Sequence, residues 1–210
     1  MNIPSRFGFY AILTDPVMGY EHLTKLLVDY GISFVQLRMK EKKRDEILRT
    51  AHIMRALTSG SNTRLIINDY PDIARDCGAD GVHIGQDDTP CKETRQILGN
   101  SAIVGISTHS PAQTISACKE KPDYIGIGPV FPTPTKKNPD PDIGIEGMKR
   151  MLSLSLVPSV AIGGIDLENL PLILEAGAEN FCMVRQLTSS KEPEKVLRKI
   201  TEIYRKYYPD

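Results

Sequence analysis

Asp123-Tyr-Ile-Gly-Ile-Gly-Pro-Val-Phe-Pro-Thr-Pro-Thr-Lys136 starts as a strand and ends as a loop that no strand or helix can absorb. Tyr124 to Val130 is apolar or glycine throughout, the composition of a strand covered on both faces. Phe131 to Lys137 then carries two prolines, two threonines and two lysines. Pro132 and Pro134 remove backbone donors and fix φ, which makes the loop stiff. A stiff loop with Thr133, Thr135 and Lys136 at the C-terminal end of a strand is suited to hold a polar or anionic ligand. A solvated connector is the plainer alternative.

Working outward, the same alternation of a short apolar run and a helical stretch repeats along the chain. Strands are expected over Phe9–Thr14, Ser33–Arg38, Arg64–Asn68, Gly81–Gly85, Ala102–Ser107, Tyr124–Val130, Ser159–Ile162 and Asn180–Val184. Helices are expected over Tyr20–Tyr30, Lys43–Thr58, Pro71–Cys77, Lys92–Leu98, Pro111–Lys119, Gly147–Leu154, Leu167–Ala176 and Pro193–Tyr207. In the second helix, Ile47, Leu48, Ile53 and Leu57 are expected on one stripe. Gly78-Ala79-Asp80 and Gly177-Ala178-Glu179 each follow a helix and lead into a strand, where glycine supplies a left-handed cap. Eight such units imply an α/β fold, a closed parallel (β/α)8 barrel, formed as one domain over residues 1–210. An open doubly wound sheet is the alternative, but Thr14-Asp15-Pro16 after the first strand is not the glycine fingerprint that usually opens one.

Composition narrows the function. Lys+Arg and Asp+Glu are both 26, so no bulk charge draws the chain to nucleic acid or a membrane. No apolar run approaches the roughly 20 residues that span a bilayer. The scattered Cys77, Cys91, Cys118 and Cys182 lack the pairing of a zinc or redox motif, and free thiols in the cytoplasm are expected. The oligomeric state stays open, a homo-oligomer included.

Active sites in such barrels lie at the C-terminal strand ends. After the second strand, alternation puts Gln36, Arg38 and Lys40 on one face and Leu37 and Met39 on the other. An inward polar face would send an amide and two cations into the mouth, fit for phosphate oxygens. Asn68-Asp69 follows the third strand and Gln86-Asp87-Asp88 the fourth. Asp69 and a later carboxylate on adjacent tips, near cations, suit Mg2+ shared with ligand phosphates. Both could instead cap the helices that begin near Pro71 and Pro90. Ser107 and His109 follow the fifth strand. Ser107 could donate to phosphate and His109 could act as a base, although a hydrogen-bonded cap is the commoner role, as it is for His83. Gly163-Gly164 after the seventh strand, with Val184 and Arg185 after the eighth, occupy the common phosphate position of this architecture. The mouth thus has two anion sites, one cationic and metal-assisted, one built largely of backbone.

Gln36-Leu-Arg-Met-Lys40, Ile67-Asn-Asp69, Gly78 to Asp88, Gly105 to His109, Tyr124 to Lys136 and Ala161 to Ile165 together resemble the thiamine phosphate synthase family. The resemblance covers nearly the whole chain, and its Gly-Pro-Val-Phe-Pro-Thr-Pro-Thr-Lys segment is highly specific. It implies that hydroxymethylpyrimidine pyrophosphate and a thiazole phosphate are joined into thiamine phosphate, with release of pyrophosphate. Carried over by motif, Gln36 and Asn68 would place the pyrimidine and the pyrophosphate end. Arg38, Lys40, Ser107 and Lys136 would hold pyrophosphate, and Asp69 and Asp88 would bridge Mg2+. Thr133 and Thr135 would lie over the thiazole, and Gly164, Val184 and Arg185 would hold its phosphate. Many relatives have serine where Arg185 stands, so that side-chain contact departs from the family pattern. Two rivals are a thiazole tautomerase of the same superfamily, with His109 as base, and a non-catalytic regulator that binds thiamine precursors.

Overall fold

The computed structural model describes residues 3–133 and 140–209. Its strands are β1 (Phe9–Leu13), β2 (Phe34–Leu37), β3 (Arg64–Asn68), β4 (Gly81–Ile84), β5 (Ile103–Thr108), β6 (Tyr124–Ile127), β7 (Ser159–Ala161) and β8 (Asn180–Met183). Each pairs in parallel with the next, and β8 closes onto β1. The helices between them are α1 (Tyr20–Asp29), α2 (Arg44–Thr58), α3 (Pro71–Cys77), α4 (Cys91–Leu98), α5 (Pro111–Lys119), α6 (Gly144–Leu154) and α7 (Leu170–Glu175). After β8 come a single turn, α8 (Arg185–Thr188), and the long α9 (Pro193–Tyr207). The expected closed (β/α)8 barrel is therefore the observed fold.

Strand alternation divides the apolar residues into two cores. Tyr10, Ile12, Phe34, Ile66, Ile103, Tyr124, Val160 and Cys182 point inward and fill the barrel. Their neighbours, such as Leu13, Val35, Leu65, Ile67, Ile125 and Phe181, point outward and pack beneath the helices. Because every strand is buried on both faces, the sequence reads as near-continuous apolar runs. The register sets Gln36 level with Ile12 and Ile66, His83 level with Gly105, and Ser107 level with Gly126. Strand ends meet the top of the barrel at similar heights, and that alone brings distant polar residues together.

The structure revises several expectations. β6 stops at Ile127, not Val130, because Pro129 has no N–H for the ladder and the N–H of Val130 turns aside to Ile162 O at 2.9 Å. In α2 the buried stripe is Ile47, Ala51, Met54 and Thr58, while Ile53 is 46% exposed. That stripe keeps the helical period, and reading only the large apolar residues misplaced it by part of a turn. α7 starts at Leu170 rather than Leu167, because Asp166 Oδ1 accepts N–H groups from Glu168 and Asn169 and holds a turn ahead of the helix. Gly78 does adopt the left-handed cap, at φ 67°, and its N–H bonds back to α3. No helix among the described residues is long and apolar enough to cross a membrane. All four cysteines are free thiols.

Candidate active site

Gln36, Arg38, Asn68, Ser107, Thr133, Gly164, Val184 and Arg185 line one cavity of about 390 Å³ at the C-terminal mouth. The alternation read after β2 holds: Leu37 and Met39 join the outer core, while Gln36 and Arg38 face the cavity. Burial lowers the pKa of Arg38, an effect that Asp69 and Asp15 oppose. Thr135 and Lys136 lie outside the described residues.

Lys40, Asp69 and Asp88 are not part of the cavity lining. They form a cluster beside it, on the tips of β2, β3 and β4. Lys40 Nζ lies 3.1 Å from Asp69 Oδ2. Burial, followed by the neighbouring Asp88 carboxyl, pushes the pKa of Asp69 above the ordinary value, with Lys40 opposing. Asp88 Oδ2 accepts the N–H of Gly85 at 2.6 Å. Capping does not account for either residue. α3 is entered through Tyr70 and α4 through Pro90, neither with a side-chain cap. Asp69 also has φ 67°, a left-handed conformation uncommon outside glycine and costing about 1 kcal/mol or more. Its N–H is held by His83 O at 2.8 Å. Two hard oxygen ligands set against each other beside a lysine fit a divalent cation such as Mg2+. Among the described residues no group of three or more His, Cys, Asp or Glu side chains is placed to hold a metal. A pair of carboxylates leaves room for water and phosphate to complete the shell of such an ion.

The far side of the cavity is built by three loops locked together. The N–H groups of Val130 and Phe131 donate to Ile162 O and Gly163 O at 2.9 and 3.0 Å. This pins the start of the loop after β6 onto the tip of β7 and fixes the entry of Thr133. Gly163 and Gly164 have φ 99° and 65°. A Cβ on Gly164 would come within 2.6 Å of Pro132 O, and one on Gly163 would overlap Pro129, so only glycine permits this approach. Gln186 Oε1 accepts the N–H of Leu167 at 3.0 Å and ties the loop after β8 to the loop after β7. Arg185 is exposed and opens α8, the short turn that sequence reading missed. The arrangement matches the phosphate position of such barrels, where the loops after the last two strands meet a short extra helix.

Sequence reading also left out groups that line the same cavity, among them Ile12, His83, Asp166, Cys182 and Gln186. For His83, as for His109, a hydrogen-bonded cap was the commoner expectation. His83 is bonded, through Nδ1 to Tyr124 OH at 3.0 Å and through Nε2 to Ser107 Oγ at 2.8 Å, but it faces the site. Its inward register on β4 was the available signal. His109 lines the cavity as well; its Nδ1 binds Gly128 O and its Nε2 lies 3.4 Å from Asp140. The cap of α5 is Ser110, not His109.

Known proteins resemble this chain in fold and in sequence. The family described as Thiamine monophosphate synthase matches residues 10–187. Thiamine-phosphate synthase of Caldicellulosiruptor bescii is 38% identical over 185 residues, covering 88% of this chain and 84% of that protein. The enzyme of the same name from Dictyoglomus thermophilum is 39% identical over 181 residues, covering 86% and 81%. Among solved structures, thiamine phosphate pyrophosphorylase from Pyrococcus furiosus superposes with a TM-score of 0.87 at 25% identity, covering 96% of this chain and 97% of that one. A family match across nearly the whole barrel, with relatives of this identity and coverage, means that the chain belongs to the thiamine monophosphate synthase family.

Proposed function

We propose that the barrel mouth joins hydroxymethylpyrimidine pyrophosphate to a thiazole phosphate, giving thiamine phosphate and pyrophosphate. The activity is that of a thiamine-phosphate synthase, a transferase of thiamine biosynthesis. The pyrimidine lies against Gln36 and Asn68, and the pyrophosphate spans Arg38, Lys40, Ser107 and Lys136. Asp69 and Asp88 hold Mg2+, which when bound supplies neutralisation of charge on the departing pyrophosphate. Thr133 and Thr135 cover the thiazole, and Gly164, Val184 and Arg185 take its phosphate. An electron-rich aminopyrimidine stabilises positive charge on its methylene carbon, so the carbon–oxygen bond to pyrophosphate breaks before or as the thiazole nitrogen attacks. The enzyme's task is then placement and electrostatic stabilisation, with no protein nucleophile. The four cysteines are consistent with that: Cys182, the one that lines the cavity, is fully buried and its thiol is pushed up by burial.

The observation that carries this reading is the Asp69–Asp88 pair beside Lys40, at the edge of a cavity that ends in the Gly163-Gly164 turn. One site of that kind would serve a simple phosphate binder; two suit a pair of anionic substrates. Incubation with both substrates, with and without Mg2+, tests the assignment. Mg2+-dependent release of thiamine phosphate and pyrophosphate supports it. Exchange of thiazole tautomers without joining would point instead to the tautomerase, and binding without turnover to the regulator.

A further inference from the structure

A continuous line of hydrogen bonds crosses the barrel interior beneath the site. Gln36 Nε2 donates to Tyr10 OH at 3.0 Å, and Tyr10 OH meets Tyr124 OH at 2.8 Å. Tyr124 OH meets His83 Nδ1 at 3.0 Å, and His83 Nε2 meets Ser107 Oγ at 2.8 Å. The line begins on β2, passes through β1, β6 and β4, and ends on β5. Gln36, His83 and Ser107 line the cavity, whereas the two phenols lie below its floor, 2% and 1% exposed. Gly105 makes the central link possible, since a Cβ there would overlap the Tyr124 ring and crowd His83 Nδ1.

Burial pushes the pKa of both phenols up, so each keeps its single proton at any working pH. A phenol that takes part in two links donates in one and accepts in the other; accepting both would strand a buried O–H. A neutral imidazole obeys the same rule, with one N–H and one lone pair. Direction therefore propagates along the whole line. If Ser107 turns its hydroxyl proton toward an anion, it accepts from His83 Nε2–H. His83 Nδ1 then accepts from Tyr124, Tyr124 accepts from Tyr10, and Tyr10 accepts from the amide N–H of Gln36. Gln36 is left with its carbonyl oxygen for the cavity. If Ser107 donates inward, every link reverses and Gln36 turns its NH2 outward.

We infer that Tyr10 and Tyr124 are positioning residues that couple the two ends of this line. An anionic oxygen on Ser107 commits Gln36 to accept, and so makes the heterocycle position selective for a ring that offers an amine rather than a carbonyl. The inference rests on the proposed function, in which Ser107 meets pyrophosphate and Gln36 the pyrimidine.

The test is a binding cycle by calorimetry with unreactive probes. Hydroxymethylpyrimidine in its amino form, and its counterpart with a carbonyl oxygen in place of the amine, are each titrated with and without inorganic pyrophosphate and Mg2+. In the native protein the preference for the amino form rises at least tenfold when pyrophosphate is present. In Tyr124→Phe, which removes a link without touching either ligand, that rise disappears. Tyr10→Phe cuts the next link and gives the same result, so failure of one variant to fold leaves the other to decide. A purely structural role would weaken both heterocycles together and leave the pyrophosphate-linked rise intact. Its persistence in the folded phenylalanine variants, or its absence in the native protein, overturns the inference. Formation of thiamine phosphate by the native protein is scored separately: its absence defeats the proposed function, and its presence leaves that function standing whatever the cycle shows.

Discussion

Two pairs of aspartates, Asp80 and Asp123 below the strands and Asp69 and Asp88 above them, are treated by the protein in opposite ways. At the bottom, Asp80 Oδ2 accepts the N–H of Leu65 at 2.8 Å and faces Arg55 at 3.2 Å. Asp123 Oδ2 repeats the device, accepting Val104 N–H at 2.8 Å and Arg95 at 2.9 Å. Each carboxylate extends a ladder below its last residue and is given a fixed arginine. At the top, Asp69 and Asp88 are set against one another, and Asp69 is held in a left-handed conformation. Lys40, half-exposed on a flexible stem, is a cation beside them, and Arg38 also feels the charge of Asp69. A satisfied carboxylate stabilises the fold, whereas an under-neutralised pair is kept at a stability cost for what it can bind. The lower pair thus serves the structure, whereas the upper pair has the character of a binding site.

Substitutions can break this contrast. The largest effect belongs to the top pair: Asp69→Ala or Asp88→Ala lowers the coupling rate by about two orders of magnitude or more with the fold intact. Lys136→Ala, at a position outside the described residues, is expected to cost as much. At the bottom the outcome inverts. Asp123→Ala removes the carboxylate partner of Arg95 and the acceptor of the Val104 N–H, costing about 2–3 kcal/mol and roughly 5–10 °C in melting temperature. Its kcat/KM, measured well below the melt, stays at the native value. A loss of activity as large as that of Asp69→Ala would erase the distinction between the two ends.

Smaller effects sharpen it. Arg185→Ala raises KM for the thiazole phosphate about three- to tenfold with kcat preserved, as fits an exposed charge whose backbone neighbours still bind. An unchanged KM would remove the side chain from that site. Asp69→Asn gives the smallest change and the most telling sign. The folded pKa of Asp69 lies above its unfolded value of about 3.8, so ionisation destabilises the folded state as pH rises through that interval. Without metal, Asp69→Asn should therefore melt about 1–3 °C higher than the native protein at neutral pH, with the gain fading as pH falls below the unfolded value. A lower melting temperature at neutral pH would mean that Lys40 dominates.

The sequence carried more of the barrel than of its interior. α3, α5 and α9 were legible to the residue at both ends, and all three start with proline at the first helical position, where its fixed φ and missing N–H leave a clear mark. α7 was not, because its start depends on a side-chain turn at Asp166 that propensity does not reveal. α8 was too short to carry a period. For the site, strand tips were enough to gather Gln36, Arg38, Asn68, Ser107 and the glycine turn, because barrel closure makes every tip a neighbour of the mouth. The partnership of Asp69 with Asp88 over any capping role, and the line from Gln36 to Ser107, depend on side-chain contacts across the barrel. Tyr10 and Tyr124 are 114 residues apart, and nothing local to either names the other.

The central claim is that the upper aspartates exist to hold a divalent cation with a pyrophosphate. Calorimetric titration of inorganic pyrophosphate into the native protein and into the Asp69→Asn/Asp88→Asn double variant, with and without Mg2+, tests it most directly. The account predicts that Mg2+ tightens pyrophosphate binding at least about 100-fold in the native protein and hardly at all in the double variant. The same Mg2+ dependence in both proteins would contradict it.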